Sequence, residues 1–303
     1  MAPSTAEQLS ATFRRDPALP SLPESVSRVL ALVRDEEVHF RELAAEVQKN
    51  PAMTLAVLRL ANSAAYAAPQ EVNNLQRAFA VIGLRQIPSL LAGFASVGRC
   101  ENFLKDPAFH WDEFWRHCSG TAFIAVSLAR RLGLQRGGGE FLAGLLHDIG
   151  YLGLAKFDPR AFGDCVEECQ QRGKFLPDIL KARFGVGEPE AGALLAEASN
   201  LDSHILASIR HKPDPAAAPP EERTLVATVA LASQLAHLIG LTFCRGAADV
   251  ELLLEQHPAW QVLRQRFPQM DQWDVARLVF ELEREYATSE VFVNEARRSG
   301  CAS

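Results

Sequence analysis

The chain has 303 residues, 48% of them apolar and 22% charged, with a formal net charge of −6. That is a globular composition, able to build a large core, and its acidic balance argues against sequence-independent nucleic-acid binding. No apolar run is long enough to span a membrane without a charge in it, and the first residues lack a secretory pattern. The six cysteines show no CxxC and no framework spacing, so a cytoplasmic protein with reduced thiols is expected.

In chain order the pattern is helical. Residues 1–17 form an N-terminal arm with a short helix over Ala6–Phe13. Ser21 can cap a helix carrying Val26, Val29, Leu30 and Val33 at helical spacing. A second helix starts at Phe40, and Asn50-Pro51 opens a third that ends near Tyr66. Two helices joined by a short turn invite a helix-turn-helix reading, but residues 51–64 offer only Arg59 as a basic group, too little to read a major groove. Asn73 and Asn74 cap a helix from Leu75 to Ile82 that stops at Gly83, and Leu84–Val97 forms another. Asp106-Pro107 breaks the pattern and divides two subdomains, 18–107 and 108–212.

From Trp111 a long helix runs through Arg131 with His117 in its early part, and a glycine-rich turn follows. Further helices open at Asp158-Pro159, Pro177, Glu188-Pro189 and Ser203. Pro213–Pro220 reads as an exposed, mobile loop. Arg223–Ile239 is a long apolar helix, and Ala248–Glu255, Pro258–Phe267 and Asp271–Tyr286 complete the chain as helices. No segment alternates with a period of two, so the fold class is all-α.

The chemistry concentrates in Phe141–Gly150, an apolar run read as one buried helix with His147-Asp148 set into it. Burying an imidazole and a carboxylate unpaired is costly. Either hydrogen bonds to neighbouring helices satisfy them, or they ligate a metal. His117, a helix and a loop upstream, and His211, at the end of a later apolar helix, are candidates to join them, with Glu188 between. One divalent ion (Fe, Mn or Zn) is the cofactor such a set could hold. The remaining histidines have simpler readings: His110 near a helix start, His237 on a helix face, His257 before a proline.

His117 followed by Leu145-Leu146-His147-Asp148-Ile149-Gly150 resembles the HD superfamily of metal-dependent phosphohydrolases. Leu19-Pro20-Ser21-Leu22-Pro23, Lys49-Asn50-Pro51-Ala52-Met53-Thr54 and Leu60-Ala61-Asn62-Ser63-Ala64-Ala65-Tyr66 are similar to its HDOD branch, the HD-related output domains. Val81-Ile82-Gly83-Leu84 and Phe114-Trp115-Arg116-His117 continue the likeness, which covers residues 18–212. The resemblance implies an N-terminal helical subdomain packed against an HD-like core, with 213–303 a linker and C-terminal helices completing that core. It implies a regulatory role in bacterial signal transduction. The partners would be other signalling proteins, a second copy of the chain among them, and neither nucleic acid nor membrane.

Three departures from the family's catalytic pattern matter. Ser233 stands where catalytic relatives bring an aspartate, and a neutral hydroxyl is a poor ligand for a hard ion. Glu188-Pro189-Glu190-Ala191-Gly192 lacks the histidine that relatives often place there. His211-Lys212 replaces a histidine pair, and an ammonium repels a dication. The expectation is a non-catalytic output module with a vestigial metal site at His117, His147, Asp148 and His211. The rival is a weak metal-dependent phosphohydrolase or phosphodiesterase.

Overall fold

A computed structural model describes residues 4–15, 40–48, 54, 57–58, 60–62, 66, 72–83, 86–87, 109–134, 139–244 and 254–300. The helix expected over 22–33, most of that over 84–97, much of 51–66, most of 248–255 and the Asp106-Pro107 boundary lie outside these residues. Among the described residues there are helices and turns and no strand, which is the all-α fold.

Among the described residues three helices come from the N-terminal part: α1 (Thr5–Arg15), α2 (Phe40–Gln48) and α3 (Leu75–Ile82). Asn74 caps α3, its side chain accepting from the Arg77 N–H at 2.8 Å, and Gly83 ends it at φ 90°. Ten more follow. They are α4 (Trp111–Arg131), α5 (Gly139–Leu146), α6 (Ile149–Phe157), α7 (Pro159–Arg172) and α8 (Leu176–Phe184). Then come α9 (Glu188–Ala198), α10 (Ser203–His211), α11 (Arg223–Leu238), α12 (Pro258–Arg266) and α13 (Val275–Gly300).

The axis of the assembly is α4, buried on nearly every side from His117 to Ala129 and packed by α5, α11 and α13. Its small residues permit close approach: a Cβ at Gly144 of α5 would meet the Ala122 Cα at 2.7 Å. At the outer end of α4, Arg131 pairs with Glu281 and Glu285 of α13, at 3.1 and 2.8 Å.

Two segments differ from the sequence expectation. The N-terminal helix is longer than Ala6–Phe13 and belongs to the core. It packs on α6 and α9, Leu9 and Phe13 are fully buried, and a Cβ on Gly153 would lie 3.0 Å from the Phe13 ring. The Pro213–Pro220 run is a packed turn, not a mobile loop. Pro215–Ala217 forms a 3₁₀ turn, Pro215 and Ala218 are buried, and the Arg223 guanidinium donates to the Ala218 carbonyl at 3.2 Å. Pro215 and Ala218 supply small apolar surfaces that fit against α11 and α12, while the other residues of the run stay exposed.

One continuous apolar core joins Leu9, Leu43 and Phe79 to residues of α4 through α13. Phe13→Ala should therefore lower the unfolding free energy by about 3–5 kcal/mol, as for other buried aromatics, in a urea titration. A loss below about 0.5 kcal/mol would mean that the segment is peripheral.

Candidate metal centre

The apolar run through Gly150 is not one helix. It breaks at His147-Asp148, a two-residue turn between α5 and α6. Adjacent residues on a continuous helix point about 100° apart. Here the break lets His147 Nε2 and Asp148 Oδ2 come within 3.3 Å of each other. The joint fits tightly against α9: the Gly150 N–H donates to Glu188 Oε1 at 3.2 Å, and a Cβ at Gly150 would lie 2.0 Å from the Glu188 carbonyl oxygen.

Both buried imidazoles are fixed from behind. His147 Nδ1 lies 2.7 Å from the Gly144 carbonyl, and His117 Nδ1 lies 2.8 Å from the Leu241 carbonyl. A carbonyl can only accept, so each Nδ1 carries a proton, and a neutral ring is then left with a bare acceptor at Nε2. Burial holds the His147 pKa well below its ordinary value, so that ring is neutral. The two Nε2 atoms are 3.1 Å apart, and Asp148 Oδ2 lies 3.2 Å from that of His117. Ser233 Oγ lies 3.2 and 3.4 Å from the two nitrogens, so its hydroxyl joins this cluster.

On its other side Asp148 meets a cation. Its Oδ1 accepts from the Lys212 ammonium, which also reaches Glu188 Oε2 at 3.2 Å. Burial pushes the Asp148 carboxyl up, but the Lys212 ammonium against it, with the His117 ring hydrogen-bonding alongside, holds it well below the usual carboxylate range. Burial raises Glu188 to about 7 against the pull of Lys212, and the Asp148 charge adds to the rise. For Lys212, burial is outweighed by Asp148 and Glu188, so its ammonium is held more firmly than usual.

The structure thus brings together His117, His147 and Asp148, each with a ligand atom within 4.8 Å of the others. His211 is not in this group. It ends α10, partly buried, and its neighbour Lys212 turns inward instead. His237, read from sequence as an ordinary helix-face residue, stacks on His117 with ring centroids 4.5 Å apart. Its Nδ1 is buried without a hydrogen-bond partner among the described residues, and burial, with His117 alongside, holds its pKa down to about 3. The signal was available, since His237 lies four residues after Ser233 and so on the same face of α11. A cavity of about 990 Å³ borders the centre, lined by Asp148, Glu188, Lys212, Ser233 and His237 among others.

An all-helical core that presents a His-Asp pair at a helix break, joined by an upstream imidazole, has the design of an HD-type domain. The HDOD domain family model matches residues 19–215, and the chain belongs to that family. An HDOD domain protein from Geobacter sulfurreducens is similar over 97% of this chain and 96% of its own, with 26% identity and a TM-score of 0.69. A Marinobacter aquaeolei VT8 protein, provisionally described as a signal transduction protein, has a TM-score of 0.65 at 21% identity, covering 96% of this chain and 66% of that one. A Shewanella amazonensis SB2B protein, provisionally described as a phosphohydrolase, has a TM-score of 0.62 at 23% identity, covering 96% and 97%. An uncharacterised protein of Treponema pallidum (strain Nichols) is 26% identical over 217 residues, 71% of this chain. The match spans only 41% of that relative's length. Among the described residues no helix is long and apolar enough to cross a membrane.

Lys212→Met would leave Asp148 and Glu188 buried without their cation. Denaturant titration should show a loss of about 3–5 kcal/mol. Adding Glu188→Gln should restore part of it, because one stranded charge is then removed. Independent, additive losses would show that Lys212 and Glu188 do not interact.

Proposed function

We propose that this chain is a signalling module that acts through contacts with other proteins, holds at most one divalent ion at the His117, His147 and Asp148 centre and does not hydrolyse phosphate esters. The observation that carries this reading is Lys212, whose ammonium spans Asp148 and Glu188. A two-metal centre needs a carboxylate free to bridge two ions. The second oxygen of Asp148 is already engaged, and Glu188 is engaged by the same ammonium.

One ion does fit the donor set. Tetrahedral bonds of 2.0–2.1 Å place ligand atoms about 3.4 Å apart, close to the 3.1–3.3 Å separations among His117 Nε2, His147 Nε2 and Asp148 Oδ2. Iron, manganese and zinc all accept imidazole and carboxylate ligands. Such an ion, when bound, would supply Lewis acidity. The carbonyls of Gly144 and Leu241 orient the two rings toward it, an arrangement common around metal-binding histidines. Ser233 offers no negative charge, and Lys212 adds a positive one nearby. Both features weaken the hold on a hard ion and its power to activate water.

Membership of the HDOD family and the description of the Marinobacter protein support the signalling reading. Other signalling proteins are the proposed partners, a second copy of this chain among them. The second reading, a weak metal-dependent phosphohydrolase, is favoured by the cavity beside the centre and by the description of the Shewanella protein.

Turnover of bis-p-nitrophenyl phosphate and of cyclic dinucleotides with manganese, iron or zinc separates the two. Wild type should match a His147→Ala/Asp148→Ala double variant. Activity lost in the double variant and retained on repurification would establish the hydrolase. Ser233→Asp places an anionic oxygen beside both imidazoles, so it should tighten manganese binding in a calorimetric titration; unchanged affinity would remove Ser233 from the site.

A further inference from the structure

His110, Glu113 and His117 are spaced i, i+3 and i+7, so they share one face at the start of α4. The segment Leu241–Cys244, which follows α11, is fastened to that face at two points. The Leu241 carbonyl meets His117 Nδ1 at 2.8 Å, and the Cys244 N–H donates to Glu113 Oε2 at 3.3 Å. At the second point three ligand-type side chains converge. His110 Nδ1 lies 3.7 Å from Glu113 Oε2, and the Cys244 sulfur is within 4.8 Å of ligand atoms on both.

The imidazole and the thiol have no other clear task. His110 occupies the N-cap position of α4 but makes no capping hydrogen bond there. Cys244 is only 6% exposed and is a free thiol. Glu113 can accept the Cys244 N–H and still ligate, because a carboxylate has about four lone-pair sites.

We propose that His110, Glu113 and Cys244 form a second metal site, selective for zinc or another borderline-soft ion, that staples the 241–244 segment to α4. The mixture of imidazole, carboxylate and thiolate suits zinc, while manganese and magnesium prefer oxygen. Zinc takes the sulfur as thiolate, and the thiol proton goes to solvent. The staple has a consequence seven residues along α4. Leu241 sits in the stapled segment, and its carbonyl orients the His117 ring, so fixing Cys244 steadies that imidazole. The site shares no ligand with the His117, His147 and Asp148 cluster and is independent of what that cluster does.

Cobalt(II) is the probe, added to the full chain after removal of metals with chelator. Wild type should develop the near-ultraviolet thiolate-to-cobalt charge-transfer absorption, and so should the His147→Ala/Asp148→Ala variant. Cys244→Ser should abolish it. His110→Ala and Glu113→Gln alter only partly buried or exposed side chains, so they test the site without threatening the core. Each should weaken cobalt binding at least as much as loss of an outer-shell partner does, roughly 10–100-fold. Absence of the absorption in folded wild type, its survival in Cys244→Ser, or its indifference to both His110→Ala and Glu113→Gln would overturn the proposal.

Discussion

The Asp148 carboxylate has two oxygens, and each faces a different kind of group. Oδ2 lies beside two imidazole nitrogens, while Oδ1 and the nearby Glu188 share the Lys212 ammonium. Buried ionic groups are tolerable only when paired and hydrogen-bonded, so much of the surrounding architecture follows from this one side chain. The helix has to break at residue 147, α9 has to approach Gly150 without an intervening side chain, and α10 has to end with Lys212 directed inward. With Glu188 titrating near neutrality, the charges of Asp148, Glu188 and Lys212 come close to cancelling. The cluster therefore largely neutralises itself.

The helices around it act as a frame. α5 and the segment after α11 each supply a backbone carbonyl that fixes one imidazole. α1 packs against α6 and α9, the two helices that begin just after Asp148 and at Glu188. The N-terminal helix therefore supports the centre from beneath, although it contributes no ligand. Rings anchored from behind by carbonyls have little freedom to turn away, which keeps the two Nε2 atoms facing each other in a buried space.

The sequence made the helices legible because their caps and periodicities are local. Asn74, the Asp158-Pro159 opening and the stop at Gly173 all act within a few residues of themselves. The convergence of His117, His147 and Asp148 could be anticipated from spacing together with resemblance. The break at 147–148 could not, since the apolar run on either side has helical propensity throughout. Lys212 was ambiguous for a physical reason: a lysine at a helix end is usually solvated, and only the tertiary positions of Asp148 and Glu188 draw it inward. The 213–220 run looks like a linker because most of its residues are exposed, and only the tertiary seating of Pro215 and Ala218 makes it a packed turn. His237 gives no distinct signal, because a single histidine on an apolar helix face is ordinarily structural, and only the Ser233 register connects it to the centre.

The central claim is that the Leu241 and Gly144 carbonyls hold Nδ1–H of His117 and His147, so that both rings turn their Nε2 atoms toward Asp148. Nitrogen-15 NMR of histidine-labelled, chelator-treated protein at neutral pH reads the tautomers directly. The two rings can be assigned by loss of their signals in His117→Ala and His147→Ala. The account predicts a proton on Nδ1 of both rings, donated to the Leu241 and Gly144 carbonyls, with the His147 ring neutral. A ring lacking the Nδ1 proton at either position would contradict it, because the carbonyl would then not hold Nε2 toward Asp148.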